Sequence, residues 1–286
     1  MSPKVSVVVG AYNMARELPR TMRSLSPAMQ VGVERSDYEL IVVDNGSTRP
    51  FNLEDCRRWG ADLDVLTIAP AAAATSPARA MNLGLAKARG ELIGAMIDGA
   101  RIASPGLIAA AREAARNGER AVILTLGFHL GYKVQMESVH EGYDQAREDR
   151  LLEDARWTED GYRLFGISVF AGSSQGGWFK PIRESNALFM RRGLWNELGG
   201  FDERFVTPGG GYVNLDLLSR AVALPDVKII TLLGEGTFHQ VHGGVATNAV
   251  QGIDHLFAAE YAKIRGKAYQ APDYDSRYFG AVPGPL

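Results

Sequence analysis

Short apolar runs alternate with helix-spaced stretches through the first 130 residues. Val5–Val9 is a nearly continuous β-branched run, the pattern of a strand covered on both faces. Ala15–Leu25 places Leu18, Met22 and Leu25 on one side at helical spacing. Tyr38–Asp44 reads as a second strand, Asp55–Gly60 as the end of a short helix, and Leu63–Ile68 as a third strand. Ser76–Arg89 reads as a helix, with Pro77 near its start and Gly90 after its end. Leu92–Ile97, Pro105–Asn117 and Ala121–Leu126 continue the series as strand, helix and strand. Such repetition predicts an α/β fold, a mostly parallel central sheet with helices on both faces. Ligands in these sheets bind beyond the carboxyl ends of the strands. The residues to read are therefore Tyr12-Asn13, Asp44-Asn45-Gly46-Ser47 and Asp98-Gly99-Ala100. Asp-Asn-Gly-Ser and Asp-Gly are also turn sequences, and either Asp alone reads as a turn residue. Two strand-end carboxylates together favour a site, because each needs a partner when buried.

The pattern changes near residue 127. Residues 128–183 are rich in glycine and aromatics and contain one polar helix candidate, Glu137–Ala155. Their apolar content is too thin for a core of their own, so they read as an insertion over the sheet. Ser185–Arg191 reads as a strand, Arg192–Leu198 as a helical turn, Asp216–Ala223 as a helix and Lys228–Leu233 as a late strand. Residues 266–286 show no periodicity and read as an irregular tail.

Composition narrows the function. With 31 basic and 33 acidic residues in 286, the net charge of −2 is unlike the basic surface of a general nucleic-acid binder. Any anionic ligand must be held locally. The one cysteine, Cys56, excludes an internal disulfide, fits a reducing compartment, and lies in the polar run Glu54-Asp55-Cys56-Arg57-Arg58 with no catalytic role implied. The first apolar run is too short for a signal segment, and no stretch reaches the roughly 18 apolar residues of a membrane span. A cytoplasmic protein is expected. Oligomeric state is not encoded in any readable motif.

Val5-Ser6-Val7-Val8-Val9-Gly10-Ala11-Tyr12-Asn13, followed by Leu40-Ile41-Val42-Val43-Asp44-Asn45-Gly46-Ser47, resembles the opening of family 2 glycosyltransferases of the GT-A fold. Ala78-Arg79-Ala80-Met81-Asn82-Leu83-Gly84 resembles the family's helix before the metal strand, and Leu92–Asp98 stands in that strand's place. Asn186-Ala187-Leu188-Phe189-Met190-Arg191-Arg192 and Leu198-Gly199-Gly200-Phe201-Asp202-Glu203-Arg204-Phe205 resemble the acceptor-side segments. Order and spacing over Val5–His242 make the set specific. The resemblance implies one catalytic domain over 1–265, with a nucleotide-binding half (1–126) and an acceptor half (127–265) carrying the 128–183 insertion. It implies a hexosyltransferase-like enzyme that moves a sugar from a nucleotide-diphosphate donor, UDP most of all, to a saccharide or small-molecule acceptor. Ala11, Tyr12, Asn13 and Asp44 would hold base and ribose. Arg79 and Asn82 would sit near ribose or diphosphate, where an Arg forks onto phosphate oxygens.

Two departures from the family pattern change what is expected. The Asp-x-Asp metal motif is here Asp98-Gly99-Ala100, so one carboxylate is missing. Asp98 remains a donor and metal ligand, and His239-Gln240-Val241-His242 offers imidazoles for a divalent ion, Mn²⁺ or Mg²⁺. His129, His140 and His255 receive no role. The family's acidic base position falls on Asn214, which takes no proton at neutral pH. Asp216, Glu184 and Asp202 are the substitutes, unless the acceptor is itself an anion or the reaction retains configuration. Lys180 or Arg183 would stabilise the leaving diphosphate, and Trp157, Tyr162, Trp178 and Phe179 read as loop anchors before a sugar-stacking wall. Two other functions compete: a non-catalytic or metal-independent nucleotide-sugar-binding member of the same fold, and a nucleotidyltransferase. The latter expects a lysine-bearing glycine loop that Gly10-Ala11-Tyr12-Asn13-Met14 lacks.

Overall fold

Val5–Ala11 (β1) is buried at every position, and its side chains divide between two cores. Val8 joins Ile41 and Val43 on one face of the sheet, while Val5, Val7 and Val9 join Leu40 and Val42 on the other. This two-faced burial is why these strands lack the alternation of a half-solvated sheet. The computed structural model describes residues 3–58, 62–243 and 253–282.

After β1 come Leu18–Ser24 (α1), Tyr38–Asp44 (β2), Leu53–Arg57 (α2), Leu63–Thr67 (β3), Ala78–Lys87 (α3), Leu92–Met96 (β4), Arg101–Ala103 (β5) and Leu107–Ala114 (α4). Then follow Ala121–Leu130 (β6), Gln135–Ser138 (α5), Gln145–Ala155 (α6), Ser168–Phe170 (β7), Leu188–Arg191 (β8), Arg192–Leu198 (α7), Val213–Val222 (α8), Lys228–His239 (β9), Ile253–Arg265 (α9) and Arg277–Gly280 (β10). The sheet order is β10-β9-β6-β8-β4-β1-β2-β3, with β5 on β9 and β7 on β6. β8 runs antiparallel to both β4 and β6, while β1, β2, β3, β4, β6, β9 and β10 share one direction. Met81 and Leu85 of α3 cover one face; Leu18 and Met22 of α1 and Leu107 and Ile108 of α4 cover the other. The fold is α/β with a mostly parallel sheet, as the sequence predicts. The carboxyl ends of β1, β2, β4, β6 and β9 all open on the same side.

Several predicted elements are corrected. The helix over Glu137–Ala155 is two helices, because Gly142 turns left-handed (φ +86°) and Asp144 caps α6 by accepting from the Arg147 N–H at 2.8 Å. The late strand continues past Leu233 to His239 through a local irregularity, where Leu124 pairs with Thr231 but Leu126 with Gly236. That bulge re-aims the end of β9, so that Arg101 and His129 both pair with His239. The strand Ser185–Arg191 begins only at Leu188; the Ser185 hydroxyl instead bonds the backbone N–H and C=O of Thr125. The tail is not wholly irregular, since Arg277–Gly280 adds to the sheet edge parallel to β9. Helix α8 begins at Val213 rather than Asp216, and α9 and β5 had no predicted counterpart.

Segment 128–183 is anchored by an aromatic cluster in which Phe128 and Phe238 of the sheet meet Phe165, Phe170 and Trp178. Trp157 is buried in the core and the Tyr162 hydroxyl donates to Glu235 at 2.8 Å. These rings hold loops, as expected. Cys56 is buried on α2 and burial pushes its thiol up to about 12, which leaves it an inert thiol. Among the described residues no helix is long and apolar enough to cross a membrane.

Candidate active site

At the carboxyl end of the sheet, the ends of β1 and β2 are laced into one wall. The Asn45 N–H donates to the Ala11 carbonyl, and the Asn45 amide donates to the Ala74 carbonyl at 2.8 Å. Asp44 is buried and accepts the Ser47 N–H at 2.9 Å through Oδ1. Asn13, held at φ +54°, accepts from the Thr48 and Arg49 N–H groups, each at 2.9 Å. Its side-chain oxygen is therefore committed to shaping the loop, not free for a base. Ala11 and Asp44 sit where the sequence places them, and Tyr12 is exposed beside them. Asn45, given no role of its own in the sequence, carries a buried Oδ1 with no hydrogen-bond partner among the described residues.

Of the two expected α3 residues, Arg79 is exposed with no ion pair among the described residues. Asn82 is corrected: its amide donates to the Phe201 carbonyl and to Glu203 at 2.9 Å each, and its oxygen accepts the Phe201 N–H at 2.9 Å. These bonds tie α3 to residues 201–203, so Asn82 is a strut.

The end of β4 meets the end of β9. His239 Nε2 lies 3.0 Å from Asp98 Oδ2 and 3.1 Å from His242 Nε2, and His242 Nε2 lies 3.7 Å from Asp98 Oδ1. Donors about 2.1 Å from one ion stand roughly 3.0 Å apart at right angles, and somewhat farther at tetrahedral angles. The three groups have the spacing and chemistry of a cation site.

A further residue settles the proton. Gln135, wholly buried on α5, donates Nε2–H to the His239 carbonyl at 2.9 Å, which orients its amide. Its Oε1 therefore faces His239 Nδ1 and accepts from it. Nδ1 carries the hydrogen, and the Nε2 lone pair points at Asp98 and His242. Burial pushes His239 down to about 4 against the pull of Asp98, so the ring is neutral at pH 7. Lone pairs and a carboxylate converging at 3.0–3.7 Å call for a positive charge between them. Burial also raises Asp98, but His242, His239 and Arg101 outweigh it and hold that carboxyl well below its usual range. His129, given no role from the sequence, stands beside His239 and accepts the Gln135 backbone N–H at 2.9 Å. Burial keeps His129 at about 2, hence uncharged. No short-range pattern marks Gln135: it lies 104 positions from its partner.

Of the three candidate bases, two are corrected. Asp216 is buried and held by Arg220 at 2.7 Å and Arg265 at 2.5 Å. Asp202 is bound by Arg204 at 2.6 Å and Arg265 at 2.7 Å; those hydrogen bonds and charges hold it well below the usual carboxylate range. Both anchor an arginine cluster, their oxygens committed to guanidinium N–H groups. Glu184 is different. The Asn186 amide donates to one of its oxygens at 3.3 Å, and the Asn214 amide to the other at 3.2 Å. Asn214 thus holds a carboxylate where the family pattern supplies one. Lys180 and Arg183 are both exposed.

The insertion also grips the histidine segment. Glu148 of α6 accepts the Val241 N–H at 2.9 Å, while Arg16 donates to the Val241 carbonyl at 3.2 Å and to Glu148 at 3.2 Å.

The sequence model described as Glycosyl transferase family 2 matches residues 6–183, well over half the chain. No curated protein matches the sequence. Among solved structures, TarS 1–349 of S. aureus superposes with a TM-score of 0.55 at 16% identity, covering 91% of this chain and 65% of that one. TarS 1–349 in complex with UDP matches equally, and its complex with UDP-GlcNAc matches at 15% identity, a TM-score of 0.55, and 91% and 66% coverage. The chain thus spans about 65% of the TarS length it resembles, and the likeness is one of GT-A fold.

Proposed function

Because the chain belongs to glycosyl transferase family 2, we propose that it transfers a sugar from a nucleotide-diphosphate sugar to a hydroxyl of a saccharide or small-molecule acceptor. The observation that carries this reading is the convergence of Asp98, His239 and His242 at the carboxyl end of the sheet, the end where β1 and β2 finish in Ala11 and Asp44. A UDP-sugar is the donor of choice, since the similar fold of TarS has been crystallised with UDP and UDP-GlcNAc. Residues 1–126 form the donor half and 127–265 the acceptor half of one catalytic domain.

Asp98, His239 and His242 would hold a divalent ion, Mn²⁺ or Mg²⁺. Bound there, the ion supplies charge to the diphosphate as it leaves. Asp44 accepts hydrogen bonds from ribose or base through its unpaired oxygen, and Gln135 keeps the His239 ring aimed. Glu184 is the general base. As the acceptor oxygen bonds to the anomeric carbon, its proton passes to Glu184, and the bond to the diphosphate breaks with its electron pair. The two amides on Glu184 orient the carboxylate but leave lone pairs open for that proton.

Calorimetric titration with UDP, GDP and TDP, with and without Mn²⁺, tests the donor site. Tight binding of UDP that requires Mn²⁺, lost in Asp98→Ala, is expected; metal enhancement that survives in Asp98→Ala places the site elsewhere. Binding of no nucleotide leaves the non-catalytic reading. Glu184→Gln should lower kcat by about 10²–10⁴-fold with donor affinity unchanged.

A further inference from the structure

Arg101 immediately follows the position where the family motif loses its second carboxylate. It is in register with His239 across β5 and β9, so its side chain stands on the same face of the sheet as the candidate cation ligands. That side chain is only 7% exposed, and its Nε lies 3.4 Å from Asp98 Oδ2. The same carboxylate oxygen faces His239 at 3.0 Å. Neither Nε nor Nη1 of Arg101 makes a hydrogen bond among the described residues, although both are buried. Around it stand His239, its cross-strand partner, His129 on the next strand, and Gly127. A buried guanidinium with unpaired N–H groups is costly and calls for an anion beyond the single, loosely placed carboxylate.

Asp98 is the one carboxylate among the candidate ligands, and the Arg101 guanidinium at 3.4 Å offsets its charge before any ligand arrives. A carboxylate pair would present −2 to a divalent ion. We propose that Arg101 makes capture of the cation conditional on the nucleotide diphosphate. It cancels Asp98 in the free protein, and its N–H groups turn to diphosphate oxygens once the ion engages Asp98. The cation then binds as the partner of a nucleotide rather than alone, and the two ligands tighten each other by the same factor. This inference rests on the cation reading proposed above.

Binding is measured directly, without turnover: Mn²⁺ by electron paramagnetic resonance and UDP by calorimetry, each alone and in the presence of the other. In the native chain, UDP should tighten Mn²⁺ by about 100-fold. Arg101→Met should tighten Mn²⁺ alone by about tenfold, weaken UDP alone by about tenfold, and shrink the mutual effect to a few-fold. Arg101→Lys should keep the native pattern, and Arg101→Gln repeats the charge removal if the Met variant does not fold. Opposite-signed changes are the signature, because loss of packing would weaken both ligands together. Parallel weakening, or no change in either, overturns the role of Arg101. His239→Ala separates the underlying premise: if Mn²⁺ binding in the presence of UDP is unaffected by it, the cation site itself is wrong.

Discussion

Replacing Gln135 by Met removes both hydrogen bonds that hold His239 while keeping much of the side-chain volume. The two groups left behind are the His239 carbonyl, which accepts Nε2–H at 2.9 Å, and the His239 Nδ1–H, which donates to Oε1. Gln135 is completely buried, so water cannot take its place without opening the core. Each orphaned polar group costs about 1–3 kcal/mol, so stability should fall by about 2–6 kcal/mol. The larger consequence lies at Nε2. Without an acceptor at Nδ1 the imidazole is free to change tautomer and place a hydrogen where the lone pair should face the cation. Loss of such a partner behind a metal-binding histidine typically costs about 10–100-fold in metal affinity. The assay is calorimetric titration of Mn²⁺ in saturating UDP, with circular dichroism to show that the variant is folded. Gln135→Glu is the comparator: it keeps an acceptor for Nδ1 but loses the donor to the carbonyl, so it should destabilise while keeping most of the metal affinity. A folded Gln135→Met protein that binds Mn²⁺ as tightly as the native chain would refute the argument from tautomer to affinity.

Three other outcomes follow from the same geometry. Burial raises Glu148 to about 7 against the opposing pull of the Val241 N–H and Arg16. The folded chain thus holds its proton more tightly than the unfolded one, and stability falls as pH rises from about 4.5 to 7, by up to about 3 kcal/mol, and is level above. Melting curves across that range should show the native chain losing stability relative to Glu148→Gln; parallel curves would place the ionised form at no disadvantage. Asp216→Asn should lower the urea-unfolding free energy by about 3–5 kcal/mol, because it strips the buried partner from Arg220 and Arg265; a loss below about 1 kcal/mol would reopen Asp216 as a base. Gly46→Ala should weaken UDP binding and stability together, since Gly46 is left-handed at φ +78° and an added Cβ would lie 2.5 Å from that of Ala73. Native nucleotide affinity in that variant would show that the wall between β2 and residues 70–76 does not shape the cleft.

The legible part of the site is the part written in strand ends. Asp44 and Asp98 stand out because an acidic residue closes a strongly apolar run, a contrast visible within seven residues. The histidines after the late strand were readable from their position in the family order. Misassignment came where a polar residue's partner lies far away. Asn82 matches a motif, yet its bonds run to Phe201 and Glu203; Asp202 and Asp216 look like bases until Arg265, on a helix not anticipated from the sequence, closes over both. Glu184 and Asn214 are 30 positions apart, and only their meeting shows that the missing Asp has a neighbouring carboxylate.

The amino-acid order alone determined the repeating strands and helices, because covering a sheet on both faces leaves its mark in consecutive apolar residues. It also determined which strand ends carry carboxylates. Tertiary structure decided the state of those groups: which is paired with arginine, which faces a neutral imidazole, and which has a buried cation beside it. Ionisation and hydrogen-bond direction depend on what surrounds a group within a few ångströms. Here those surroundings are assembled from β4, β5, β6, β9 and the first helix of the insertion, elements that become neighbours only when the sheet closes.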